Sequence, residues 1–305
     1  MIRFVIRRLF WGVPVLLIVA TITFGILHVV PGGPFDQEKK LPPEIQANVE
    51  AKYHLDQPLW RQYVLYLEGL LQGDLGPSYK YLGRSVTDII SDTFPVSMQL
   101  GLFATLLAVF LGVTAGILAA IHPDSGGDRL LMFLSTGGIA IPSFVLSAFL
   151  ILVFAYLYHL FPPALWEGAR YAILPAFSLA LLPAAYIARL MRASILEVIR
   201  KEYIQAAWAK GLSQHQVVLK HVLKNSMMPV ISYLGPLVAT LVTGSFVVEF
   251  IFSIPGMGKF FITAVTNRDY PLIMGVTLVY AVLILLANLI VDILYAIIDP
   301  RVRLE

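Results

Sequence analysis

The sequence predicts an all-α, polytopic membrane protein. It has six transmembrane helices, an external insert after the first span, and a cytoplasmic helical elbow between spans four and five. Three observations carry this. Of 305 residues, 58% are hydrophobic and only 13% charged, where a soluble domain carries about a quarter. Several apolar runs reach the ~20 residues a helix needs to cross a bilayer. Thirteen of the 22 Lys and Arg fall in alternate segments, at the start, in short loops and at the end. That alternation marks the inner face, because positive charge in short loops stays inside. The chain has no cysteine, which excludes a disulfide framework, zinc–thiolate sites and thiol catalysis.

Span one is expected over 9–30, behind Arg3, Arg7 and Arg8. A basic start before an apolar run also describes a signal peptide. This run is too long and lacks a small-residue cleavage site, so it reads as a retained span with the amino terminus inside. Residues 31–94 form a polar insert with turns at Pro31-Gly32-Gly33-Pro34 and from Gly73 to Ser78. Within it, 43–54 is expected as a helix, and 58–71, with Trp60, Tyr63 and Tyr66, as a helix on the outer membrane surface. The insert holds six Lys/Arg against nine Asp/Glu, a balance that fits the outside. The rest, 95–305, is a five-span core. Spans two to six are expected over 96–121, 130–158, 171–190, 229–250 and 271–293. Gly137-Gly138 and Pro142 are expected to kink or break span three, and 251–270 reads as an outer loop. Both termini lie inside.

The elbow occupies 194–228 and is the most polar long run in the second half. Gly211 is expected to end its first helix in the left-handed conformation. Ser213 and Gln216 are spaced to cap the second helix reciprocally. Lys220, His221 and Lys224 follow on a chain of valines and leucines, and Pro229 sits where a first helical turn tolerates it.

The span interiors hold no Asp, Glu, Lys or Arg, with Glu249 and Asp292 near expected ends. Ion-coupled carriers and proton pumps usually need such groups at the midplane. Coupling to sodium through backbone carbonyls stays open. No phosphate-binding G-x-x-x-x-G-K-[ST] loop occurs, so any ATPase is a separate chain. No catalytic residue is expected. The six histidines are scattered, and His215 and His221 do not share a helical face, so no metal site is expected. Energy therefore enters elsewhere, and the elbow is the place left for it.

At this point a resemblance is visible. Gln205-Ala206-Ala207-Trp208-Ala209-Lys210-Gly211 resembles the cytoplasmic signature E-A-A-x-x-x-G of permease subunits of bacterial-type ABC importers. Gln205 stands where the signature has Glu, and Leu223-Lys224 where it has Leu-Pro. The form from Glu202 to Ser213, with His221, Leu223, Asn225, Pro229 and Ile231, resembles the dipeptide/oligopeptide/nickel permease family. Arg3-Phe4-x-x-Arg7-Arg8-Leu9, the two insert turns, Val247 to Gly258, and Asp299-Pro300-Arg301-Val302-Arg303 resemble it too, in order along nearly the whole chain. The long insert and the basic start point to its B-type branch.

The resemblance implies half of a pore for peptide uptake in the bacterial-type cytoplasmic (inner) membrane. The implied partners are a second homologous permease, two cytoplasmic ATPase subunits that bind ATP and Mg, and an extracytoplasmic substrate-binding protein. The chain itself binds no cofactor. The elbow becomes a coupling helix, with Tyr203, Gln205, Ala206, Ala207, Lys210, Gly211, Leu212, Ser213 and His221 as contact residues. Ala206, Ala207 and Gly211 would allow close approach of another surface. A basic inner loop that only sets topology, and a DNA-binding helix-turn-helix, are the other readings of such an elbow; tethering between two spans disfavours nucleic acid. For the translocation path the candidates are Ser135, Thr136 and Ser143 on span three, with Thr243, Ser245 and Glu249 on span five. Small residues of this kind also serve helix packing. Glu249 is expected near the outer mouth, meeting a cation or standing as a solvated end residue. The insert is expected either to dock the binding protein or to act as a cap. Nickel or another small solute, an ion-coupled carrier, and a non-transporting anchor for an ATPase remain as alternatives.

Overall fold

The computed structural model describes residues 2–35 and 53–298. Most of the helix expected over 43–54 and the tail from Asp299 lie outside the described residues. Among the described residues no strand forms, and a single isolated bridge joins Pro77 to Ser85. Five helices are long and apolar enough to cross a membrane, and a sixth candidate is a sharply bent pair.

Helix α1 (Ile2–Val29) packs chiefly on the last helix and leaves most of its apolar face bare, as a lipid-facing span does. Helix α2 (Leu59–Leu71) lies in the insert with no residue fully buried. Helix α3 (Val86–Ile121) starts ten residues before the expected span two and carries Pro95 inside it. The early start has a local cause. Ser85 accepts the Asp88 amide at 3.0 Å, and Asp88 accepts the Ser85 amide at 3.2 Å, a reciprocal cap.

Span three is broken. Helix α4 (Gly126–Ala140) and helix α5 (Ser143–Leu150), which runs on as a π-helical stretch (Ile151–Leu157), meet at 106°. Gly137 and Gly138 stay helical. The break falls at Ile141, whose φ of −89° and ψ of 118° are extended, because the ring of Pro142 disfavours a helical residue before it. Leu165, beyond the pair, donates its amide to the Phe252 carbonyl at 2.8 Å. The bent pair thus carries the chain from the elbow end of the bundle to the insert end.

Helix α6 (Ala169–Val198) is the most buried span and the centre of the larger core. It runs eight residues past the expected end. Glycines of α3 let it come close. A Cβ on Gly112 would meet the Ala184 carbonyl oxygen at 2.6 Å, and one on Gly116 would meet Ala188's at 2.7 Å. Side chains at either place would force the helices apart, a cost of about 1–3 kcal/mol or more each.

The elbow comprises helix α7 (Glu202–Ala209) and helix α8 (Gln214–Val217), which continues through a π-helical stretch (Val218–Leu223) into Lys224–Ser226. Helix α9 (Met228–Val242) is followed by short α10 (Phe246–Ile251). The segment expected as an outer loop instead contains helix α11 (Met257–Asn267), and α12 (Tyr270–Ile298) closes the fold.

The insert is fastened to the turn before α12. Ser78 Oγ donates to the Asp269 carboxylate, which also accepts the Tyr79 amide at 3.1 Å. Tyr270 Oη donates to the Gly32 carbonyl at 3.2 Å. Burial, and after it the Asp269 carboxylate, push the Tyr79 phenol above its ordinary range. At the elbow end, Arg8 of α1 pairs with Asp292 of α12 at 2.5 Å.

Candidate functional site

The elbow is built by local chemistry. The Leu212 amide bonds the Ala207 carbonyl at 3.4 Å, and the Gly211 amide bonds that of Trp208 at 2.9 Å. Those two bonds, with Gly211 at φ +81°, form a Schellman stop. Ser213 then accepts the Gln216 amide at 3.4 Å while Gln216 Oε1 accepts the Ser213 amide at 3.2 Å. The break at Gly211 and the cap at Ser213 are as the sequence predicts.

The elbow is not a loose loop. Ile204, Val217 and Val222 are fully buried with Met191, Ile195 and Val198 of α6 in the larger core. Each such side chain contributes roughly 1.5–3 kcal/mol, so the elbow is attached firmly to the end of span four. Its outer surface presents Tyr203, Gln205, Ala206, Trp208, Lys210, Gly211, Leu212 and Ser213. His221 is half-buried on the π-helical stretch. Ala207 faces inward, 8% exposed, so its small size serves packing within this chain and not the approach of another surface. Lys201, in the turn before α7, meets Glu197 at 2.8 Å. That hydrogen bond holds its ammonium above the usual lysine range, and both side chains stand in the open.

The second feature is the break in span five. The chain turns at Gly244, with φ +95°, and Ser245 caps α10 by accepting the Val248 amide at 3.4 Å. Glu249 is fully buried there, which removes the solvated-end alternative of the two that the sequence left open. Its Oε2 accepts the amides of Gly258 at 2.8 Å and Lys259 at 3.4 Å. The fit depends on missing side chains. A Cβ on Gly244 would stand 2.5 Å from Oε1, one on Gly258 would stand 2.9 Å from Oε2, and one on Gly256 would overlap Oε2 outright. Ser97 of α3 completes the cluster, its Oγ accepting the Met257 amide at 2.9 Å. The carboxylate thus joins span five to the first turn of α11, and Ser97 ties that same turn to span two.

The other path candidates do not converge. Ser135 and Thr136 bond carbonyls of their own helix, those of Leu131 at 2.8 Å and Met132 at 2.9 Å. Ser135 is buried and Thr136 exposed. Ser143 opens α5 just past the bend. Thr243 bonds the Thr240 carbonyl at 2.9 Å and lines an apolar groove of about 550 Å³ between spans two, five and six, with Met98, Leu102, Leu234, Val238 and Leu286. Only Thr243, Ser245 and Glu249 share a neighbourhood. Among the described residues no group of His, Asp or Glu is arranged to hold a metal ion.

Sequence reasoning missed one charged pair. Arg192 bonds Asp128 through Nε to Oδ1 at 2.6 Å and Nη2 to Oδ2 at 2.5 Å. Ser125, three residues ahead of Asp128, was a legible cap signal, but the partner 64 residues away was not.

The description "Binding-protein-dependent transport system inner membrane component" matches residues 112–304, and its N-terminal counterpart matches residues 1–101. The chain belongs to that family. As an inner membrane component it is a multi-pass protein, in keeping with its apolar helices. It is 48% identical to the oligopeptide transport system permease protein OppB of Haemophilus influenzae, over 99% of this chain and all of that one. It is 44% identical to OppB of Escherichia coli K12 over the same shares, and 44% identical to the dipeptide transport system permease protein DppB of Bacillus subtilis, over all of this chain and 99% of that one. Among solved structures, an amino acid ABC transporter chain matches with TM-score 0.55 at 16% identity, over 68% of this chain and 93% of its own. A chain of the MetNI methionine ABC transporter matches with TM-score 0.56 at 16% identity, over 70% and 97%. These two speak to the fold of this inner membrane component alone.

Proposed function

We propose that this chain is one permease subunit of an ATP-driven importer that takes up di- or oligopeptides, handed over by an extracytoplasmic binding protein. The observation that carries the reading is its similarity, from end to end, to permease proteins named for oligopeptide and dipeptide transport. The elbow is the energy inlet in this proposal. It lies at one end of the bundle and the insert at the other, which supports an elbow in the cytoplasm and an insert outside, with both termini inside. Separate ATPase subunits, carrying ATP and Mg, grip Tyr203, Gln205, Ala206, Lys210, Leu212 and Ser213. A second, homologous permease completes the path.

The mechanism is a rigid-body switch. Closure of two ATPases pushes each elbow, and the buried core of Ile204, Val217 and Val222 transmits the push to α6. Trp208, Tyr203 and Leu212, each about two-fifths exposed, supply apolar purchase for a partner groove. Lys210 meets acidic groups or the carboxyl end of a partner helix.

The test is uptake by the assembled complex in proteoliposomes over a panel of labelled peptides and nickel. Peptide uptake that requires ATP and the binding protein is the expected result. Uptake that persists without ATP and collapses with an ion gradient contradicts it, and selective uptake of nickel moves the substrate within the same scaffold.

A further inference from the structure

We propose that the Asp128–Arg192 pair is a positioning clamp that makes the first half of span three move with the elbow, concentrating the deformation at Ile141–Pro142. The inference rests on the reading that the elbow receives the movement of an ATPase.

Four observations meet here. Asp128 is only 3% exposed, and its two oxygens face two nitrogens of Arg192 at 2.6 and 2.5 Å. A two-pronged pair of this kind fixes orientation as well as distance. The carboxylate also accepts the Asp124 amide at 2.8 Å, and the Asp128 amide donates to Ser125 Oγ at 3.2 Å. The pair therefore holds the whole first turn of α4 and not a single side chain.

Secondly, Arg192 stands just before the end of α6. Only a three-residue turn separates α6 from α7, and it is bonded through: the Lys201 amide to the Val198 carbonyl at 3.0 Å, and the Ile204 amide to the Lys201 carbonyl at 3.0 Å. Thirdly, α4 lies closely against α6 farther up, where a Cβ on Gly138 would meet that of Ala185 at 3.3 Å. Fourthly, α4 ends at the 106° bend, beyond which α5 packs on α10 as well as on α6 and so answers to two elements. Elbow, α6 and α4 thus form one attached body, and the extended Ile141 is the first place along span three where it can yield. An isolated cap would need one carboxylate oxygen; here a residue of another span takes both. Removing one partner would leave a buried charge unanswered.

The chain lacks cysteine, so introduced pairs are its only labels. Spin labels at Phe133 and Glu197 report within the body, and labels at Phe133 and Tyr156 report across the bend. In the full complex, the first distance is expected to stay within about 2 Å between nucleotide-free and ATP-bound states, while the second changes. A first distance that shifts as much as the second in the wild-type background overturns the clamp. Asp128→Asn and Arg192→Lys are expected to lower peptide uptake per ATP about five- to tenfold in assembled complexes. Wild-type uptake per ATP in both also overturns it. Where Asp128→Asn does not assemble, Arg192→Lys and the wild-type distances decide. If wild-type uptake ignores ATP, the underlying reading fails, and the distance pair still judges the clamp.

Discussion

At Gly211 the chain turns in open space, whereas at Gly244 and Gly256 it turns around a carboxylate. A Cβ on Gly211 would meet nothing within 4 Å, so that glycine is required only by its φ of +81°. Gly256 and Gly258 have ordinary backbone angles, and Glu249 fills the space their side chains would take. The elbow has a free outer surface on a firmly packed inner one, suited to a partner that comes and goes. The span-five break is closed on every side by its own chain, suited to holding shape. The same residue type thus marks an exposed turn in one place and a structural hub in the other, and variants should separate the two.

Gly256→Ala is expected to be the most damaging. Its methyl overlaps the Glu249 carboxylate and would stand 2.7 Å from Ser97 Oγ. Overpacking of this kind costs about 1–3 kcal/mol, before any loss of the amide bonds to Gly258 and Lys259. Thermal unfolding of the purified complex should show the largest drop here. Glu249→Gln keeps the shape and the two amide bonds but removes their charge, a loss of about 1 kcal/mol, the difference between a charged and a neutral acceptor. An unfolding midpoint equal to wild type for both would mean that the hub carries no weight.

Gly211→Val is next. A β-branched residue in the left-handed region costs about 1–2 kcal/mol, but no neighbour is displaced, so the complex should still assemble and purify. Ser213→Ala should lose about 1 kcal/mol of capping, seen as faster hydrogen exchange at residues 214–217 with the bundle unchanged. Ser135→Ala should be within about 0.5 kcal/mol of wild type and leave uptake intact, because its hydroxyl bonds only its own helix. A strong loss of uptake there would return Ser135 to the translocation path.

The elbow was legible because its signals are local: Gly211, Ser213 and Gln216 lie within six residues and decide each other's conformation. The spans were legible from hydropathy, which needs no partner. What escaped was whatever depends on distant approach. Glu249 looked like a span-end residue because the three glycines that enclose it lie five residues before it and seven and nine after, across a break. Asp128 and Arg192 carry no mark of each other in the sequence, because one-dimensional spacing does not show that α4 and α6 lie side by side. The bend in span three was half visible. Pro142 was named, but the glycines before it drew equal notice, and the structure assigns the break to the proline's effect on Ile141. Likewise Ala207 carried the right spacing for the signature and the wrong face for contact.

The central claim is that energy enters through the elbow. Its most direct test is the number of ATP molecules hydrolysed per peptide taken up by reconstituted complexes carrying Gly211→Val. Changing the elbow's turn without unfolding the bundle should leave hydrolysis near wild type and cut uptake about tenfold or more, the scale of ~1.4 kcal/mol of lost coupling. An assembled Gly211→Val complex that takes up peptide at the wild-type ratio would contradict the account.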